Sequence, residues 1–241
     1  MLRLDVSGLG ESAPRAGDAA GDVYTSRARQ DATKALQALR ERGAKKCVSA
    51  GICSGAYNSF KSASEALALD AIVAINPATF AWKEGMSLDV KKQPYGEDVV
   101  VREAKRYGQR MRDLESWKRL LRGQVKLDAV AQVMSRRLVG KARDVGLGLA
   151  RRAGLRVAGD LGGELTSIAE RNVDMTFVFA EEEPGLAMIR DKAGSVVQAL
   201  ERRKALSLVT IEGPDHTFTA TWAQARLVSV LDGVLERLER A

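Results

Sequence analysis

The stretch "KKCVSAGICSGAYNSFKSA", residues 45–63, decides how the rest of the chain is read. Its first half is short, apolar and β-branched enough for a buried strand, and its second half resumes a helical rhythm. Between them, Gly51-Ile52-Cys53-Ser54-Gly55 fits the frame glycine, any residue, nucleophile, any residue, glycine. In a sharp strand-to-helix turn the central residue is exposed in a strained conformation, and small residues two before and two after it keep strand and helix from colliding. Gly51 and Gly55 occupy those two places. The frame rejects Ser54 as the nucleophile, because its flanking positions would be Ile52 and Ala56. A helix N-terminus behind Cys53 would favour its thiolate. The competing account, a small buried hydrophobe, suits Cys47, which falls in the middle of the strand.

Working outward, the same alternation recurs. Residues 24–42 read as a helix, with Ala28, Ala32, Ala35, Leu36 and Leu39 at helical spacing, closed by Gly43. "DAIVAINP" (70–77), "VDMTFVFAEEEPG" (173–185) and "ALSLVTIEGPDH" (205–216) read as strands ending in turns. Helices are expected over about 186–203 and through "WAQARLVSVLDGVLERLE" near the C-terminus. "LRLDV" (2–6) reads as a further short strand before the glycine-rich turn "SGLGES". Strands alternating with helices predict an α/β fold, a mostly parallel sheet with helices on both faces. Residues 84–160 break the pattern, being helical in character and without a convincing strand. The expected organisation is therefore a core of 1–83 and 161–241 with a helical cap insertion at 84–160.

Composition bounds what such a chain can do. A length of 241 residues suits one domain with a sizeable core and an insertion. The hydrophobic content of 45% and charged content of 29% are those of an ordinary water-soluble protein, and no apolar run approaches the roughly 18 residues of a membrane span. No secretory signal is visible in "MLRLDVSGLGES". The two cysteines, Cys47 and Cys53, show neither metal spacing nor a disulfide framework, so a reducing, cytoplasmic setting is expected, with no metal and no cofactor. The net charge of +7 is concentrated: residues 101–156 hold sixteen Lys or Arg against five Asp or Glu. Solvated helix faces account for such a run, and so does attraction for an acidic partner. With 5% aromatic residues and no recognition motif, nucleic acid is not an expected partner.

His216 is the chain's single histidine, so any imidazole chemistry must be its own. It lies in "EGPDHTFT", past the last predicted strand, where open α/β sheets place their chemistry. A third group should hold the imidazole through its other N–H. "AEEEPG" offers Glu181, Glu182 and Glu183; Glu183, just before the Pro-Gly turn, is the first choice and Glu182 the second. Asp215 adjoins the histidine, where side chains seldom turn toward each other.

The order nucleophile, acid, histidine on an alternating sheet resembles the α/β-hydrolase superfamily over most of the chain. Asp5, Gly8, Gly10 and Ser12 match the loop that follows one of that family's strands. "GICSGAY", "INPATFAWKEG" and "DHTFT" are similar to a bacterial group of these hydrolases, some encoded near exopolysaccharide-export genes; in that group the position of Glu183 usually carries aspartate. Cysteine nucleophiles in the superfamily also occur in dienelactone hydrolases and polyhydroxyalkanoate synthases, which share the G-x-C-x-G frame. The resemblance implies that 84–160 is a helical cap, and that "LRLDV" corresponds to the family's fourth strand. It thereby implies a core incomplete at the N-terminus, without the loop that supplies one oxyanion donor; the other donor would be the Ser54 N–H. The implied activity is hydrolysis of a carboxylic ester or thioester by Cys53, His216 and Glu183, or acyl transfer to an alcohol or amine by the same residues. The substrate would be a small acyl ester or thioester, and Arg102, Arg106, Arg110 and Arg112 in the basic segment suggest an anionic or carrier-bound one. From a different class, a catalytically inactive hydrolase-like module binding a partner through that segment is the alternative. Nothing in the sequence fixes an oligomeric state.

Overall fold

The computed structural model describes residues 1–16, 23–82, 146–151, 157, 159–181 and 183–240. Its centre is a four-stranded parallel sheet in the order β1 (Val48–Ile52), β2 (Ala71–Ile75), β3 (Asp174–Ala180), β4 (Leu206–Ile211). The helices are α1 (Ser26–Glu41), α2 (Ser54–Ser64), α3 (Leu161–Glu170), α4 (Pro184–Arg202) and α5 (Thr221–Arg240). Each strand pairs with the next in chain order, and the register sets Ile52 beside Ile75, Ile75 beside Val178 and Val178 beside Val209. The C-terminal ends of all four strands therefore open toward the same side of the sheet.

The strands of such a sheet are buried on both faces, and alternate residues go to different layers. Ile72, Ala74, Met175, Phe177, Phe179 and Leu206 face a core built with α1, α2, α3 and α4. Ala71, Val73, Ile75, Val178 and Ala180 face the opposite layer, where α5 supplies Ala223, Leu227 and Val234. Helices thus cover both faces, and the expected α/β class is what the chain forms. The larger core is aromatic: Phe60, Phe80, Phe177 and Phe179 lie with neighbouring ring centroids 5.7–6.4 Å apart, the spacing that edge and offset ring contacts favour.

One predicted element is corrected. "LRLDV" forms no strand; residues 1–6 have no regular secondary structure. The segment turns on itself instead, with Gly8 N–H donating to Ser12 O at 3.1 Å and Ser12 N–H to Leu9 O at 3.0 Å. It docks on α1, where Asp31 accepts from the Ser7 N–H at 3.0 Å and from the Arg15 guanidinium. The carbonyls at the end of the predicted strand are taken up locally, Val6 O by the Leu9 N–H at 3.0 Å and Asp5 O by the Ser12 hydroxyl at 2.7 Å. Conversely, α3 has no counterpart among the elements read from the sequence, although Leu161, Leu165 and Ile168 bury one face at helical spacing. Of the expected cap insertion, 84–145, 152–156 and 158 lie outside the described residues; 146–151 are helical.

Candidate active site

The strand-to-helix turn after β1 is drawn sharply. Cys53 stands at the N-cap of α2 with φ 55° and ψ −110°, a conformation costing a β-carbon residue about 1–3 kcal/mol. Its backbone is held from both sides: the N–H donates to Ile75 O at 2.9 Å, and the carbonyl accepts from Tyr57 N–H at 3.2 Å. The approach of strand to helix is so close that a β-carbon at Gly51 would lie 2.4 Å from the Gly55 carbonyl carbon. At Gly55 itself a β-carbon would meet nothing within 4 Å. Ser54 opens α2, so its N–H belongs to the first turn, where donors have no partner within the helix.

Glu183 and His216 meet across the ends of β3 and β4. The imidazole Nδ1 lies 2.8 Å from Glu183 Oε1, with the carboxylate side chain 14% exposed and the imidazole 39% exposed. Glu183 is placed at the N-cap of α4, followed by Pro184 at the first helical position. Gly185 presses that loop against the end of β2, since a β-carbon there would stand 2.5 Å from the Pro77 carbonyl oxygen. Asp215 bonds to Thr217 and Thr219 and not to the imidazole. It accepts from Thr219 N–H at 2.7 Å, and the Thr219 and Thr217 hydroxyls with that N–H hold its carboxyl below the ordinary aspartate range. Glu181 is exposed, while Glu182 lies outside the described residues, as do Arg102, Arg106, Arg110 and Arg112.

Two contributors escape a reading of the sequence. Asn76, without solvent exposure and with φ 45°, ties three loops together. Its Oδ1 accepts from Ala180 N–H at 2.8 Å and its Nδ2 donates to His216 O at 2.7 Å. The preceding carbonyl, Ile75 O, is the one that holds the Cys53 N–H. One dipeptide at the tip of β2 therefore bridges the Cys53 turn, the end of β3 that leads to Glu183, and the His216 loop. Its signal was faint: asparagine tolerates the left-handed region, and proline follows it. Tyr24 is the second. Its Oη lies 4.0 Å from Cys53 Sγ, and its ring stacks on Trp82 at 4.3 Å and meets Tyr57 edge-on at 5.1 Å. Nothing local marks Tyr24, which reaches the turn only through the packing of α1 against α2.

Cys53 and His216 stand over β1 and β4, and the histidine loop leans back across β3 to reach Asn76. Among the described residues no hydrogen bond joins the Cys53 thiol to the imidazole. The same residues contain no group of three His, Cys, Asp or Glu able to hold a metal ion, and no helix long and apolar enough to cross a membrane.

No protein-family model matches the sequence, and no curated protein does. Among solved structures the chain is similar to a carboxylesterase from the ammonia-oxidizing thaumarchaeon Nitrososphaera gargenis, at 14% identity and a TM-score of 0.41, over 92% of this chain and 75% of that one.

Proposed function

We propose that the chain is an acyl-transfer enzyme of the α/β-hydrolase type that cleaves a carboxylic ester or thioester, with Cys53 as nucleophile, His216 as general base and acid, and Glu183 as the group that holds the imidazole. The observation that carries this is the 2.8 Å contact between His216 Nδ1 and Glu183 Oε1, made by residues from two different loops at the open end of the sheet. That contact leaves Nε2 as the nitrogen available for proton transfer.

In this reading His216 Nε2 takes the thiol proton, and the Cys53 sulfur attacks the carbonyl carbon. The tetrahedral oxyanion receives the Ser54 N–H, and its collapse expels the alcohol or thiol, protonated by the imidazolium. An acyl-cysteine thioester remains. Water, deprotonated by His216, then attacks it to release the acid and restore the thiol. The imidazole, 39% exposed, lies open to that water, which favours hydrolysis over transfer. Catalytic hydrogen bonds commonly tighten only when substrate is bound, so a thiol and imidazole apart in the free protein suit the scheme.

The test uses p-nitrophenyl acyl esters. A stoichiometric burst of nitrophenol is expected from the wild-type chain, lost in Cys53→Ala, and slowed by about 100-fold or more in His216→Ala. Iodoacetamide should label Cys53 ahead of Cys47, which is 4% exposed, and mass spectrometry of the labelled peptides reads the difference. A burst of unchanged size in Cys53→Ala would overturn the assignment.

A further inference from the structure

Among the described residues the side chain in hydrogen-bond contact with the thiol is not the imidazole but a phenol. Tyr24 Oη lies 4.0 Å from Cys53 Sγ, at the outer limit for an O–H···S contact and too far to fix the thiol by itself. The position of the phenol is nevertheless built with care. Its ring is 7% exposed, stacked within 17° of parallel on Trp82 and packed edge-on against Tyr57. Trp82 is fixed in turn by its backbone contact with the Tyr57 phenol. The chain just before the tyrosine is clamped to α2, where Asn58 Nδ2 donates to Val23 O at 2.7 Å. Tyr57 and Asn58 both belong to the helix that Cys53 caps. A rigid donor is thus held at a set distance from the sulfur by the helix that carries the sulfur.

A group in that place meets what forms on the sulfur. In the tetrahedral intermediate the oxyanion is two bonds from Sγ. An oxygen lying off the line between Sγ and Oη would fall within the roughly 2.7–3.1 Å reach of an oxyanion donor. The ground-state thiol meets the phenol only through this long contact. Such preorganisation is what transition-state stabilisation requires.

We propose that Tyr24 is a catalytic residue whose hydroxyl donates to the oxyanion formed when Cys53 is acylated, as the second donor beside the Ser54 N–H. This rests on the acyl-transfer reading of Cys53. In the step itself Tyr24 keeps its proton: the phenol donates a hydrogen bond to the carbonyl oxygen as the S–C bond forms, and withdraws it when the C=O bond is restored.

The experiment compares two reactions of one thiol in Tyr24→Phe, which retains the stacked ring. Acylation by p-nitrophenyl acetate passes through an oxyanion; alkylation by iodoacetamide displaces iodide and forms none. Tyr24→Phe is expected to slow the acylation burst by about 100-fold while leaving the alkylation rate at Cys53 within about twofold of wild type. The unchanged alkylation also reports that the turn is still folded. A burst slowed by less than about tenfold would overturn the proposal, and so would an equal loss in both reactions, which would mean that Tyr24 acts on the thiol. Absence of any burst in the wild-type chain would instead overturn the acyl-transfer reading, and this proposal with it.

Discussion

Asn76 shows how one buried side chain can set the geometry of a site it does not enter. Both ends of its amide are used, toward Ala180 N–H and His216 O, and its φ of 45° is one that asparagine adopts more readily than most residues. Asn76→Ala removes both bonds and leaves a buried N–H unpaired, so a loss of about 3 kcal/mol is expected from the urea midpoint. Asn76→Asp is the sharper probe. It keeps the acceptor for Ala180 but sets a carboxylate oxygen against the His216 carbonyl, which displaces the histidine loop. Its acylation burst should fall by about 100-fold, with a stability loss at least as large as the alanine variant shows, because a buried carboxylate is left facing a carbonyl oxygen. If Asn76→Asp acylates at the wild-type rate, the asparagine does not position His216. The candidates Cys53, Glu183 and His216 can be picked out from sequence because each lies in the loop or turn that follows a strand, so local pattern and chain order locate them. Asn76 and Tyr24 cannot, because their roles exist only once distant segments have packed.

At the scale of elements, β1 and α2 are joined so tightly that the two motif glycines differ in what they permit. Gly51 has the Gly55 backbone 2.4 Å from where a side chain would begin. Gly51→Ala must push strand from helix, and overpacking of this kind costs about 1–3 kcal/mol or more. Gly55 lies on the open side of the same contact, in the first turn of α2, where nothing opposes a methyl group. Gly55→Ala should therefore keep or raise the thermal midpoint, since alanine is favoured over glycine in helices by up to about 1 kcal/mol. Paired melting curves check this, and equal losses in the two variants would count against the geometry. Strand β3, whose last six residues are buried, and strand β2, buried throughout, are legible as apolar runs because both faces of the sheet are covered. "LRLDV" looks like a strand by the same measure, yet its segment is held to α1 through Asp31 rather than to a sheet neighbour. Strand propensity marks what could pair, and only the tertiary partner decides whether it does. Helix α3 was hidden for the converse reason. Its Gly162 and Gly163 weaken the helical signal, and its stability comes from burying Leu165 and Ile168 completely.

Across the whole molecule the candidate site residues gather at one end of the sheet. Cys53, Asn76, Glu183 and His216 all follow strand ends, where a parallel sheet leaves a crevice for ligands. The alternation of strands and helices is enough to foretell that class of fold, but not which loops touch. Support at the start of α3 is electrostatic, and this makes the protein's stability depend on acidity in a definite direction. Asp160 has a side chain 4% exposed and pairs with the Arg151 guanidinium through Nε at 2.6 Å. Burial alone would raise its pKa. The Arg151 hydrogen bond and charge, with the Gly163 and Gly162 N–H groups, more than offset that and hold it below 3.8. A carboxyl whose folded pKa is depressed stabilises the native state above its unfolded pKa and loses that contribution as the pH falls through the folded one. The pair's contribution is therefore complete at neutral pH and withdrawn only below pH 3.8. Asp160→Asn should be less stable than wild type at pH 7, because it gives up the charge-assisted bonds that the carboxylate accepts from the Arg151 guanidinium. The gap between the two proteins should then narrow as the pH falls below 3.8, because wild type loses the charge that the variant never had. Urea midpoints for the two chains across that range measure the gap. A gap that stays constant down to the acid limit would show that the Asp160 side chain acts there by its shape and not by its charge.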